Sequence, residues 1–292
     1  MDIRVLNYFL TIAREGSISS AAEVLHMTQP PLSRQLKALE DELGTPLFYR
    51  KKEGMVLTPK GELLEQYAQN IVRLTAQAEQ DIASDEDSLC GEIYLGTAET
   101  CALCPLFDAM RELQRAHPRL KLHVYSGNAL DILQKMDDGS LDMGVVYEPT
   151  DTTGYHFLKL PDQDRWGVLM RKDGPLAAKD AITPQDLWDQ PLIVSIQSLQ
   201  QRDLAGWMRR ELSELNIVAT YNLMYNAGLM VRQRMGYALV IHELIRYWEE
   251  SPLCYRPLTP AIPISLQLIW KKERPLSRQA QAFLAELEKR HL

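Results

Sequence analysis

Apolar residues recur at helical period from the start of the chain. Ile3, Leu6, Leu10 and Ala13 share one face of a segment over residues 2–14, which predicts a first helix packed behind a helical pair downstream. Between Ser19 and Leu25 the small residues Ala21 and Ala22 let a second helix approach closely, and His26-Met27 is a short connection. Leu32, Leu36, Leu39 and Leu43 then recur at i, i+4, i+7 and i+11 as one apolar stripe, while Gln29, Ser33, Arg34 and Lys37 fall on other faces. The adjacent prolines Pro30 and Pro31 would break a helix interior, but in a first turn the backbone N–H groups have no intrahelical partner to lose. Thr28-Gln29-Pro30-Pro31 therefore reads as a helix start with Thr28 as N-cap. Two helices joined by a short turn, the second with a polar face left free, form a helix-turn-helix pattern.

Beyond Gly44 and Pro46 the period shortens. Leu47 to Arg50 and Met55 to Thr58 are strand-like runs joined by Lys51 to Gly54, which predicts a hairpin, or wing, with a basic tip. Thr58-Pro59 repeats the cap-then-proline start and opens a helical stretch of roughly 25 residues. Within it Leu64, Ala68, Ile71, Thr75, Ala78 and Ile82 are spaced by 4, 3, 4, 3 and 4, the a/d seam of a coiled coil. The seam predicts a dimerisation helix, the alternative being a helix packed on its own C-terminal part. Ala83 to Ser88 is polar and acidic, a hinge candidate.

From Glu92 onward short apolar runs alternate with helical segments, the signature of a parallel α/β sheet. Ile93 to Gly96, Leu120 to Tyr125 and Met143 to Val146 read as strands, with Leu103 to Ala116 and Leu130 to Met136 as helices between them. The alternation runs on to a last strand at Ile264 to Trp270 and a closing helix at Ser277 to His291. It predicts two lobes of about 100 residues that share a cleft, with crossovers at Tyr147 to Pro149 and Ser251 to Leu253. The expected organisation is an α-rich winged helix-turn-helix over residues 1–58 and a linker helix and hinge over 59–88. The remainder, 89–292, is a two-lobed α/β domain, with lobe I near 91–147 and 254–292 and lobe II near 148–253.

Charge narrows what the N-terminal part can touch. The net charge of −7 argues against a protein that coats nucleic acid along its length. Residues 1–60 carry 8 Lys or Arg against 7 Asp or Glu, residues 61–90 carry 1 against 7, and residues 91–292 carry 23 against 25, so a DNA footprint must be local. It would use Arg34, Lys37, Arg50, Lys51 and Lys52, the hairpin tip being otherwise a solvated turn. Arginine can fork onto guanine, glutamine can pair with adenine and serine can serve either, so Gln29, Ser33 and Arg34 near a helix start match what the major groove displays. Thr28, Gln29, Pro30, Ser33, Arg34, Lys37, Arg50 and Lys52 are the candidate DNA-binding set; for the helix alone, a capped surface helix with a solvated polar face is the alternative. No run of 18 apolar residues and no secretory leader pattern is visible, so a cytoplasmic address with no membrane partner is expected.

With these residues in view the chain resembles the LysR-type transcriptional regulators over essentially its full length. The match is carried by Phe9-Leu10, Gly16-Ser17, Ala21-Ala22, Leu25, Thr28-Gln29-Pro30, Leu32-Ser33, Leu39-Glu40, Leu43-Gly44, Leu47-Phe48, Arg50 and Leu57-Thr58-Pro59-Lys60-Gly61. Leu141-Asp142-Met143-Gly144 and Gly236 to Ile241 are similar more by pattern. The resemblance implies a winged helix-turn-helix, a dimerising linker helix and a two-lobed effector domain like that of periplasmic solute-binding proteins. It also implies homodimers and frequent homotetramers on pseudo-palindromic promoter DNA, a small organic co-inducer between the lobes, and RNA polymerase as a further candidate partner.

In such sheets ligands bind beyond the carboxyl ends of strands, where helix N-termini offer free N–H groups. Those edges supply Thr97, Glu99, Thr100, Cys101, Gly127, Asn128, Tyr147, Glu148, Ser195, Ser198 and Asn226 as the candidate effector set. Family members commonly place Ser or Thr at the first edge to hold a carboxylate; here Glu99 stands between Thr97 and Thr100, and Glu148 joins it at the crossover. Two carboxylates near a cleft disfavour a simple anion, which favours an effector with an amino or other donor group, unless Glu99 faces solvent. Cys101-x-x-Cys104 has the spacing of a redox dithiol and sustains the alternative of a thiol-responsive regulator; otherwise Cys104 packs as a small apolar residue and Cys101 lines the pocket. No second ligand pair accompanies it, so neither a metal nor a cofactor is expected. No GxSxG, HExxH, P-loop or GxGxxG is present, so no enzyme is expected. A cytosolic solute-binding protein or an enzyme on that scaffold is the rival class.

Overall fold

The computed structural model describes residues 1–51, 54–83, 89–148, 150–161, 164–200, 202–241, 251–262 and 264–290. The chain divides into two units, Met1–Asp87 and Ser88–Leu292.

The first unit is three helices, a hairpin and a long helix. Helix α1 (Ile3–Glu15) buries Leu6, Phe9 and Ile12 and ends at Gly16 in the left-handed region. Helix α2 (Ile18–Val24) is capped by Ser17, whose side chain accepts from the Ser20 N–H. Helix α3 (Gln29–Leu43) starts with its prolines in the first turn and ends at left-handed Gly44. Thr28 takes the N-cap position, but its side chain makes no capping bond there. Leu32, Leu36 and Leu39 are buried; Leu43, the last helical residue before Gly44, is 42% exposed.

Strands β1 (Phe48–Lys51) and β2 (Gly54–Leu57) pair antiparallel as the wing; the tip residues Lys52 and Glu53 lie outside the described residues. Two close approaches fix it. A Cβ on Gly54 would stand 2.5 Å from the Gly16 carbonyl oxygen, which also accepts the Met55 N–H at 2.7 Å. One on Gly61 would stand 2.1 Å from the Leu47 carbonyl oxygen, so only glycine lets the next helix pass there. That helix, α4 (Pro59–Ala83), opens on Thr58, whose hydroxyl donates to the Pro46 carbonyl and accepts from the Gly61 N–H.

The expected dimer seam along α4 needs correction. Ala68 is fully buried, and Leu64 and Ile71 pack into the same core as Leu6, Phe9 and Leu32. Thr75 bonds back to the Ile71 carbonyl. The small Ala68 allows α1 close approach, so the first half of the seam is spent within the chain. The exposed apolar positions include Leu63, Tyr67, Leu74, Ala78 and Ile82, a stripe displaced by one residue over the first half. The hinge expected at Ala83 to Ser88 falls almost wholly outside the described residues.

The second unit holds two five-stranded sheets. The first has the order β4-β3-β5-β12-β6 and the second β11-β7-β10-β8-β9. Lobe I contains β3 (Gly91–Thr97), β4 (Leu120–Ser126), β5 (Met143–Tyr147), β6 (Tyr155–Lys159) and β12 (Leu266–Lys271). Helices α5 (Cys104–Ala116) and α11 (Arg278–Lys289) cover one face through Leu106, Met110, Phe283 and Leu287, and α6 (Ala129–Asp137) covers the other through Ile132 and Met136. A central strand covered on both faces must be apolar throughout, and β5 is buried at every residue. Lobe II contains β7 (Trp166–Arg171), β8 (Leu192–Ser195), β9 (Ile217–Tyr221), β10 (Tyr237–Ile241) and β11 (Leu253–Pro257). The short helices α7 (Pro184–Leu187), α8 (Ile196–Gln200) and α9 (Arg202–Met208) and the longer α10 (Met224–Arg232) surround it, with Leu204 and Met208 on one face and Ala227 and Val231 on the other.

Two expectations are corrected. The sheets are mixed: β3, β4 and β5 run parallel, as do β8, β9 and β10, but β12, β6, β7 and β11 are antiparallel to their neighbours. The lobe boundaries also move. Strand β6 pairs with β12 inside lobe I, and β11 pairs with β7 inside lobe II, so the chain crosses near residues 160–165 and 258–265 rather than at Tyr147 to Pro149 and Ser251 to Leu253.

Candidate functional site

Helix α3 has two faces. Its leucines lock one into the core, while Gln29, Pro30, Arg34 and Lys37 are exposed on the other, with Ser33 half-buried between and Thr28 exposed just ahead. At 3.6 residues per turn, Gln29, Pro30, Ser33, Arg34 and Lys37 fall within an arc of roughly 140° that excludes the leucines. Arg50 and Lys51 are exposed on the wing. Glu40, on the same helix, accepts the Leu47 N–H at 2.7 Å and the Phe48 N–H at 3.4 Å, so the start of the wing is anchored to the reading helix. Among the described residues, Arg34, Lys37, Arg50 and Lys51 are in no ion pair. Lys52 lies outside the described residues. The arrangement offers bidentate donors at a helix start and point charges beside it, the chemistry of base edges and phosphates respectively.

The second site is a cleft of about 90 Å³ between the lobes of the C-terminal unit. Of the expected residues, Glu99, Gly127, Asn128, Tyr147, Glu148, Ser195 and Ser198 line it. Four do not. Thr97 is buried and its hydroxyl donates to the Ala98 carbonyl. Thr100 is buried, caps the turn at Cys101–Leu103 through the Ala102 N–H, and donates to Asp164 at 2.6 Å. Cys101 is half-buried in that turn, off the cleft wall, and Cys104 is exposed on α5 instead of packing inside. Asn226 is exposed in the first turn of α10. No group of three or more candidate metal ligands occurs among the described residues.

Trp166, Tyr221 and Ile241 line the cleft, as do Met224 at the start of α10 and Ile264 in the returning crossover. Because β7 runs antiparallel to β10, pairing Trp166 with Ile241, its beginning rather than its end reaches the cleft edge. Asp164 is also new. It is buried in the first crossover and accepts from both the Tyr147 hydroxyl, at 2.7 Å, and the Thr100 hydroxyl, while its other oxygen, Oδ1, has no donor. Burial and the adjacent Asp164 carboxylate push the Tyr147 hydroxyl well above the usual phenol range; burial alone raises Tyr221, whose hydroxyl donates to the Leu239 carbonyl. Oppositely placed signals, a Trp at a strand start and an Asp in a crossover, are invisible to a search along strand ends.

The polar groups of the cleft are held by neighbours. Glu99, from the edge of lobe I, accepts the Met224 N–H of lobe II at 2.9 Å and so supplies the N-terminal partner that α10 lacks from its own cap residue Leu223. Glu148 accepts from the Gln267 side chain. Ser195 and Ser198 hydroxyls bond each other at 2.8 Å, and Asn128 caps α6 while donating to Asp131.

One unit shaped to meet duplex DNA and another with a small polar cleft between two lobes is the division of labour of ligand-responsive transcriptional regulators, and the chain is of that class. Residues 3–62 match the family model for bacterial regulatory helix-turn-helix proteins of the lysR family, and residues 86–291 match the LysR substrate binding domain. The chain belongs to the LysR family of DNA-binding transcriptional regulators. It is 32% identical to the HTH-type transcriptional regulator BsdA of Bacillus subtilis (strain 168), over 97% of this chain and 99% of that protein. It is 30% identical to the nitrogen assimilation regulatory protein nac of Escherichia coli (strain K12), over 97% and 92%. Full-length CbnR, solved in complex with its target DNA, has the same fold at a TM-score of 0.72 and 16% identity, covering 99% of both chains. The family consists of regulators of transcription and not of enzymes. No helix among the described residues is long and apolar enough to cross a membrane.

Proposed function

We propose that the chain acts in the cytoplasm as a non-catalytic regulator that binds promoter DNA through α3 and the wing and changes its grip when a small organic effector enters the interlobe cleft. The observation that carries this reading is the exposed arc of Gln29, Ser33, Arg34 and Lys37 on a helix whose opposite face is buried core. The effector acts by differential affinity for two arrangements of the lobes. Neither a metal nor a cofactor takes part.

Two copies pair through the exposed stripe Leu63, Tyr67, Leu74, Ala78 and Ile82 of α4, and pairs join as tetramers. A dimer places two reading helices on half-sites and multiplies their specificity. RNA polymerase is the further partner at the promoter. A mobility shift and footprint with DNA from upstream of the protein's own gene test the reading: protection of a two-fold site at physiological salt is the expected result. Equal affinity for that DNA and for unrelated duplex would overturn it.

A further inference from the structure

Many donors of the cleft are already engaged. An anion in such a site is held by hydroxyls, side-chain amides and free N–H groups at helix starts. Several of these are already taken by an oxygen of the chain itself, and the side-chain amides of Gln197 and Asn222 complete the polar lining. Thr97 gives its hydroxyl proton to the Ala98 carbonyl and Thr100 to Asp164. Ser195 and Ser198 satisfy one another, and Asn128 donates to Asp131. The Met224 N–H at the start of α10 is occupied by Glu99.

Acceptors, by contrast, are in surplus. Glu99 and Glu148 each have one oxygen fixed by a donor, Met224 N–H and the Gln267 amide, which orients the carboxylates while a second oxygen of each stays available. No Lys, Arg or His is among the described residues lining the cleft. Behind the wall, Tyr147 hands its proton to Asp164, a carboxylate that is 7% exposed and still has an oxygen without a donor. Apart from the polar Gln197 and Asn222, the rest of the lining is mainly apolar or aromatic, with Trp166, Tyr147, Tyr221, Ile241 and Ile264.

Resting on the regulator reading, we infer that the effector is a small organic cation, a primary amine on an apolar body, whose ammonium group is bound by Glu99 and Glu148. An ammonium brings three donors and no acceptor, which matches the remaining carboxylate oxygens, and its charge offsets two carboxylates that have no cation beside them among the described lining residues. Its carbon skeleton lies against the aromatic wall, where a cation is also tolerated over a ring face. A carboxylate of the same shape would add a third negative group beside Glu99 and Glu148. Because Glu99 already reaches from lobe I to the backbone of lobe II, charge placed on it acts on the contact between the lobes.

Titration calorimetry on the full-length protein tests this with charge-reversed pairs: primary amines from ethylamine to 2-phenylethylamine, each matched by the carboxylate of the same skeleton. At least one amine is expected to bind with one site per chain and its carboxylate counterpart not to bind. Glu99→Gln and Glu148→Gln should each weaken the amine tenfold or more while leaving the circular dichroism melt intact. Tighter binding of the carboxylates, no binding of any amine, or amine affinity indifferent to both substitutions overturns the assignment. Promoter binding followed on the same samples reports the regulator reading separately, since a wild-type protein that shifts its promoter but takes only carboxylates refutes the cation and keeps the regulator.

Discussion

The reading face draws its side chains from one stretch between Thr28 and Lys51, whereas the cleft draws Glu99, Asn128, Glu148, Ser195, Tyr221 and Ile241 from the edges of six different strands. A single helix with a fixed cap, a fixed core face and an anchored wing presents its chemistry wherever it is docked, so its specificity is a local property. The cleft exists only while two sheets hold their edges together, so its specificity is a property of the crossovers and of contacts such as Glu99 on α10. The one surface rests on a single helix and the other on two sheets held edge to edge.

The sharpest test of that contrast is a core substitution in the first unit. Leu32 is fully buried beneath the reading face, and Leu32→Ala is expected to cost about 3 kcal/mol through lost burial and the cavity left behind. Urea unfolding followed by hydrogen exchange should show the loss in residues of the N-terminal unit, with cleft amides unmoved. Concerted loosening of both units would break the comparison.

A smaller effect is expected from the crossover. Tyr147→Phe removes one of two donors to buried Asp164 and is expected to cost about 1–3 kcal/mol in the C-terminal unit alone. The same variant has a pH signature. Since burial raises the folded phenol, the folded state keeps a proton that the unfolded chain loses near pH 10, so this contribution is present below about pH 10 and is lost as pH rises further. Denaturation midpoints across that range should fall more steeply for the wild type than for Tyr147→Phe.

The smallest effect belongs to the wing. Lys51→Ala is expected to weaken all duplex sequences alike and to lower the slope of log affinity against log salt by about 1. A base-dependent loss would mean that the wing reads sequence and does more than grip phosphate.

The same contrast governs what the sequence shows. Leucine spacing locates the buried face of α3 and, by subtraction, the polar arc, because both lie within one helical period. Proline pairs, wing residues and the α4 start are legible for the same local reason. The a/d spacing of α4 reveals a seam but not its partner, and α1 claims its first half through Ala68. Strand runs such as Tyr155–Lys159 are visible, but their direction is not, so the mixed sheets and the true crossovers are hidden. Trp166 enters the cleft, and Asp164 comes to lie behind its wall, only through that topology. Thr97 and Thr100 look available in the sequence and are consumed by neighbours in the fold.

The proposed function has the exposed arc of α3 read the bases. Binding of the wild type and of Arg34→Ala to a library of single-base variants of the promoter site tests this most directly. The expected result is a loss of about 1–3 kcal/mol on the preferred site, with discrimination relaxed at one base position of each half-site and kept elsewhere. An unchanged profile, or a loss equal for every sequence, would contradict it.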